Sequence, residues 1–124
     1  MIKGVKHITI CVKDQDRALK FYTQQLGFKL LVDAPMGEGQ RWIELEIPGA
    51  QTQIVLFTPE GHEDRIGTSS NVIFTTDNIG KTYQELKDRG VQFTKGPANE
   101  PWGSYALFQD SEGNTFCLSS SGEL

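Results

Sequence analysis

Apolar and polar residues alternate from Val5 to Lys13, which puts Val5, His7, Thr9 and Cys11 on one face of a strand and Ile8, Ile10 and Val12 on the other. The second face is the more apolar. Asp14 or Asp16 then caps a helix running to about Leu26, where Ala18, Leu19, Phe21, Tyr22 and Leu26 form an apolar stripe at helical spacing and Gly27 stops it. Phe28 to Asp33 reads as a second strand. The proline and glycines of Ala34 to Gly39 read as an irregular loop and a candidate lid. From Gln40 to Ile47 alternation returns, with Ile43, Leu45 and Ile47 on one side and Trp42, Glu44 and Glu46 on the other. A Pro48-Gly49-Ala50 turn leads to a fourth strand, Gln53 to Thr58.

The same order then restarts. Asn71 to Thr76 reads as a strand, Asn78 caps a helix through Ile79, Tyr83 and Leu86, and Gly90 ends it. Val91 to Thr94 is the next strand, and Gly96 to Pro101 reads as a loop. Around Asp110-Ser-Glu-Gly-Asn two aromatic-rich runs form a closing hairpin. His7 to Asn71 is a step of 64 residues and Gly27 to Gly90 a step of 63, so the chain reads as an internal duplication. The expected boundaries are a first module at 1–60, a linker at 61–69 and a second module at 70–124, within one compact domain.

Composition narrows the functions open to this pattern. At 124 residues and 37% hydrophobic content the chain is long enough to bury a core without staples. A net charge of −4 and a pI near 5.1 provide no basic surface, so no nucleic-acid partner is expected. No stretch approaches the roughly 20 apolar residues of a membrane span, so no membrane partner is expected either. The first residues lack an apolar run of signal-peptide length, which makes a cytoplasmic location the expectation. Cys11 and Cys117 each sit in an apolar strand pattern and read as reduced thiols.

Two βαβββ modules carrying His7-Ile-Thr-Ile-Cys-Val-Lys-Asp14, Arg17-Ala-Leu-Lys-Phe-Tyr22 and Leu26-Gly-Phe28 resemble the vicinal oxygen chelate superfamily of glyoxalases, bleomycin-resistance proteins and extradiol dioxygenases. The Asp110-Ser-Glu-Gly-Asn turn is similar to that family's Asp-Pro-Asp-Gly-Asn turn, with Ser111 in place of proline. The resemblance implies an α+β fold in which the two modules form a cupped mixed sheet with helices on the convex side. It makes His7, Thr9, Cys11, Trp42, Glu44, Val55, Phe57, Asn71, Ile73, Tyr105, Leu107 and Cys117 candidates to face the cup.

Enzymes of that superfamily hold a divalent metal with His, Glu or Gln on four strands, and the matching positions here are His7, Val55, Asn71 and Cys117. Only His7 is a usual ligand, and sliding any of the other three strands by one residue recovers no carboxylate. No metal or other cofactor is therefore expected. Trp42, Phe57, Trp102 and Tyr105, with Arg41 nearby, suit a slot for a flat organic molecule. The expected ligand-binding set is His7, Arg41, Trp42, Phe57, Asn71, Trp102, Tyr105, Leu107 and Cys117. The resemblance to metal-free bleomycin-resistance proteins implies sequestration of a small molecule by a homodimer. The alternatives are an enzyme with an atypical metal at His7, a metal-free isomerase using His7 or Glu44 as base, and a module that keeps only the fold.

Overall fold

The computed structural model describes residues 1–37, 39–69 and 71–121. They form two compact units, Met1–Ile66 and Gly67–Leu124. Each has the order strand, helix, strand, strand, strand, the α+β arrangement that the duplicated pattern predicts. The stretch read as a linker is divided between them. Its first part, including a 3-10 turn at Glu63–Arg65, belongs to the first unit, while Ser69 bonds to Asn114 and Thr115 in the second.

In the first unit β1 (His7–Cys11), β2 (Lys29–Pro35), β3 (Arg41–Glu46) and β4 (Gln53–Phe57) make a sheet of order β1-β4-β3-β2. β1 and β4 run parallel and the other pairs antiparallel. Helix α1 (Gln15–Lys20) crosses one face and starts at Asp14, whose carboxylate accepts the Arg17 N–H at 2.9 Å. The helix continues as a π-helical turn at Phe21–Gln25, closed by Leu26 N–H donating to the Phe21 carbonyl. That wider turn lets the consecutive Phe21 and Tyr22 both be buried, with their rings edge to face at 5.2 Å. Beneath them Ile10, Val12, Ile43, Leu45, Ile54 and Leu56 are fully buried. Gln15 ties helix to sheet through Nε2, which donates to the Arg41 and Leu56 carbonyls.

The second unit repeats the plan with β5 (Ile73–Thr75), α2 (Ile79–Asp88), β6 (Gln92–Glu100), β7 (Gly103–Gln109) and β8 (Thr115–Ser120), in the order β5-β8-β7-β6. Asn78 caps α2 by accepting the Lys81 N–H at 3.0 Å. The core is aromatic: Phe74, Phe93, Phe108 and Phe116 meet at centroid distances of 5.5 to 6.1 Å. At the β7–β8 turn Asp110 and Asn114 are both buried. Asp110 Oδ1 accepts the backbone N–H groups of Glu112 and Asn114 at 2.9 Å, and Asn114 Nδ2 donates to Asp110 Oδ2 at 2.8 Å. Gly113 takes φ 85°, as the turn requires. β7 opens on Gly103 at φ 143°, where a Cβ would collide with the Ser120 carbonyl oxygen.

Two segments differ from the sequence expectation. Ala34 and Pro35 belong to β2, and Gly96 to Glu100 belong to β6, although both were read as loop. β2 and β6 are edge strands, so a proline there removes no hydrogen bond from the ladder. Register irregularities between Phe93 and Lys95 and between Lys95 and Ala98 absorb the glycine and proline.

Candidate functional site

Period two and the pairing register decide which side chains share the open face of the first sheet. Thr9, Val55, Glu44 and Val32 form one row across β1, β4, β3 and β2. His7 and Gln53 lie in the adjoining row, and Cys11 and Phe57 on the far side. Within this surface Trp42 Nε1 donates to Glu44 Oε1 at 2.8 Å. His7 packs edge-on against Trp42 at 6.2 Å, and its Nε2 lies 3.4 Å from the same Glu44 oxygen without an aligned hydrogen bond. Three of the expected residues, His7, Trp42 and Glu44, are thus brought together.

Beside them is a cavity of about 720 Å³ lined by Trp42, Phe57, Met36 and Cys11, with Thr9 and Gln40 as polar members. Pro59, Glu60, His62 and Arg65 complete its lining from the segment after β4. That volume suits a small organic molecule, and the lining sets the aromatic wall of Trp42 and Phe57 beside polar side chains that can fix a ligand's orientation. His62 falls in the stretch read as a linker; it is exposed, yet it lines the cavity.

Arg41 is elsewhere. Adjacent to Trp42 in sequence, it points to the opposite, helix-bearing face, where its Nε and Nη2 donate to Asp33 at 3.1 and 2.8 Å and Nη1 pairs with Asp16. The hydrogen bonds to Asp33 and then Asp16 hold the guanidinium charged, and the Arg41 donors hold the Asp33 carboxyl below its ordinary range. This bidentate clamp closes one side of a polar hollow of about 580 Å³ that also includes Lys13, Asp14, Gln15, Asp16, Arg17, Gly39, Gln40 and Thr58. The expected role of Arg41 as a handle beside the aromatic slot is corrected by this placement.

On the open face of the second sheet, Ile73, Cys117, Leu107 and Lys95 form one row and Thr75, Ser119, Tyr105 and Ala98 the next. Trp102, exposed in the β6–β7 turn, stacks obliquely on Tyr105 at 5.8 Å, and Lys95 Nζ stands 5.6 Å from the Tyr105 ring centre. Asn71, expected inside the fifth strand, precedes β5 and is exposed. Burial pushes the Cys117 thiol up from its ordinary range, which disfavours thiolate.

The superfamily's metal positions can be tested against this chemistry. Val55 has no donor atom and is fully buried, and Asn71 offers only a neutral amide. Burial raises the Cys117 thiol above its ordinary range, and Glu44 Oε1 accepts from Trp42. Among the described residues no group of three or more His, Cys, Asp and Glu side chains is placed to hold an ion. His7 and Glu44 together supply two donors, fewer than the three or four protein donors of a usual divalent site.

Sequence reasoning did not single out Met36, Gln40 or Arg65. Gln40 and Met36 are held by the β2–β3 turn, in which Met36 N–H donates to the Gln40 carbonyl and Gln40 N–H to that of Gly37. No periodic signal covers a turn, so these positions were not legible beforehand.

Relatives agree with the fold. YetH of Bacillus subtilis strain 168, an uncharacterized protein, is 32% identical over 118 residues, covering 95% of this chain and 98% of its own length. A glyoxalase/bleomycin resistance protein/dioxygenase superfamily member from Sphaerobacter thermophilus DSM 20745 has a crystal structure 36% identical to this chain, with a TM-score of 0.87, covering 96% of this chain and 98% of that one. TnmS3, an antibiotic binding protein from Streptomyces sp. CB03234, is 34% identical with a TM-score of 0.82, covering 96% of each chain. The family model for these proteins matches residues 4–118, and with two βαβββ units spanning the same residues, the chain belongs to the Glyoxalase/Bleomycin resistance protein/Dioxygenase superfamily.

Proposed function

We propose that the protein binds a small, flat organic molecule in the aromatic cavity of the first unit, without a metal ion, and sequesters it without chemical conversion. The observation that carries this reading is the cavity of about 720 Å³ walled by Trp42 and Phe57. The likeness to TnmS3, described as an antibiotic binding protein, supports it, as does the poor donor set around His7. A planar ring slides between apolar walls and loses its hydration there, which needs neither a general base nor a Lewis acid. The Trp102–Tyr105 pair of the second unit is a further aromatic surface, and a cytoplasmic homodimer goes with the reading.

Quenching of the two tryptophans by a panel of planar aromatic compounds tests it. In a Trp102→Phe protein the remaining signal comes from Trp42, and saturable quenching is expected. Trp42→Leu should weaken binding by about tenfold or more, equivalent to about 1.4 kcal/mol. Light scattering coupled to gel filtration reads the oligomeric state. Divalent ions should leave the melting temperature unchanged and metal analysis should find no stoichiometric ion; a bound equivalent overturns the metal-free reading.

A second reading rests on the His7–Glu44 pair. An imidazole 3.4 Å from a carboxylate that is oriented by Trp42 resembles a proton-transfer pair. It predicts turnover of a bound ligand that is lost in Glu44→Gln while binding persists.

A further inference from the structure

The carboxylate, imidazole and guanidinium in the lining of the aromatic cavity all come from the segment after β4, as Glu60, His62 and Arg65. The backbone of that segment sorts its charges. Pro59 is buried, and its carbonyl accepts the His62 N–H at 2.9 Å across a turn in which Gly61 takes the required positive φ, 78°. The Arg65 N–H then donates to the His62 carbonyl at 3.0 Å, at the start of the 3-10 turn Glu63–Arg65. Side chains three residues apart lie one above the other in such a turn, so His62 and Arg65 share the side that lines the cavity. Glu63 and Asp64 fall on the other sides and do not line it. The Glu63 carboxylate turns back to the Gly61 N–H at 3.2 Å, and bonds from its own N–H and that of Gly61 hold it below its ordinary range.

From this arrangement we infer that the cavity takes a planar aromatic bearing an anionic oxygen group, a carboxylate or sulfonate, whose ring lies against Trp42 and Phe57 and whose anion meets Arg65 and His62. The inference rests on the cavity reading above and adds a charge requirement to it. A guanidinium presents a planar fork that matches a carboxylate, and its five N–H donors let Arg65 keep its interaction within the chain as well. His62 adds a ring N–H on the same side of the turn. Both side chains are exposed in the empty protein, so an incoming anion can reach them while the ring enters between the aromatic walls. Glu60 is the opposing charge in the lining, so removing it should strengthen the preference for an anion.

Equilibrium dialysis of matched pairs tests this, with 2-naphthoate against 2-naphthamide and the carboxylate and carboxamide forms of anthracene and phenazine. Wild-type protein should bind the carboxylate about fivefold or more tightly, and added salt should erode that preference because the groups that make it are exposed. Arg65→Gln should lose most of the preference, Arg65→Lys should keep part of it, and Glu60→Gln should enlarge it. Should Arg65→Gln fail to fold by circular dichroism, wild type and Glu60→Gln decide alone. Carboxylates bound no better than amides by wild type, with both weakened by Trp42→Leu, overturn the anion requirement and leave the cavity reading standing. A preference that persists undiminished in folded Arg65→Gln also overturns it. Binding of neither form on any scaffold refutes the cavity reading, and this inference with it.

Discussion

The Asp110–Asn114 pair offers a stability prediction whose sign follows from hydrogen-bond polarity. Asp110 Oδ1 accepts two backbone N–H groups and Oδ2 accepts Asn114 Nδ2, while Asn114 Oδ1 accepts the Ser69 N–H at 2.9 Å. Both side chains are buried, so water cannot replace a lost partner. Asp110→Asn keeps the shape but sets one amide NH2 against another. It leaves two buried NH2 groups facing each other without an acceptor, at about 1–3 kcal/mol each, and weakens two charge-assisted bonds, for a total of about 2–6 kcal/mol. Asn114→Asp sets a second buried carboxylate against the first and should cost about 3 kcal/mol or more. In the double variant the polarity is reversed and the bond between the two side chains is restored: Asn at 110 donates to Asp at 114, which still accepts from Ser69. The double variant should therefore lie within about 1.5 kcal/mol of wild type, giving a coupling energy of about 2 kcal/mol or more. Urea unfolding followed by far-UV circular dichroism, with the slope checked for constancy, measures this. Additive losses in the double variant would refute the argument, as would a single Asp110→Asn loss below about 0.5 kcal/mol.

Three further outcomes are expected. Asp33, whose folded pKa is depressed from 3.8 by the Arg41 hydrogen bonds, takes up protons more readily in the unfolded chain, so its contribution is present above that value and lost as pH falls below it. Asp33→Asn should flatten the acid side of a stability-versus-pH curve below about pH 4 and leave its slope near neutrality alone. Gly103→Ala must force β7 away from the Ser120 carbonyl and adopt a φ that L residues avoid, costing about 3 kcal/mol or more in urea unfolding, whereas Gly4→Ala, which meets nothing within 4 Å, should be nearly neutral. In a Cys11→Ser protein, alkylation of Cys117 by iodoacetamide should have its pH midpoint above 9.0, and a midpoint at or below 9.0 would contradict the burial effect.

Much of this architecture was legible because burial imposes a period. The Ile10/Val12 and Ile43/Leu45 sets were assigned to one face from alternation, and all four are fully buried. Asp14 and Asn78 were legible as caps because short polar side chains before an apolar stripe have one common use. Pro35 and Pro97 misled because a proline forbids an interior strand and permits an edge one, and the sequence does not say which strand is the edge. Arg41 misled for a different reason: adjacency to Trp42 was read as proximity, although the same alternation sends neighbours to opposite faces. Gln40, His62 and Arg65 reach the cavity from connecting segments, where tertiary contacts and not periodicity set direction.

The 63-residue step between the copies places Gly103 opposite Gln40, at the mouth of the third strand in each unit. In the later copy that position is closed to every side chain by the approach of the Ser120 carbonyl. In the earlier copy it carries an amide that lines a cavity. The halves of this duplicated chain are therefore not interchangeable at this position: one gives it to tight strand pairing, and the other fills it with an amide at the edge of a cavity. Exchanging the two residues would cost the second half the close approach of β7 to β8 at Ser120.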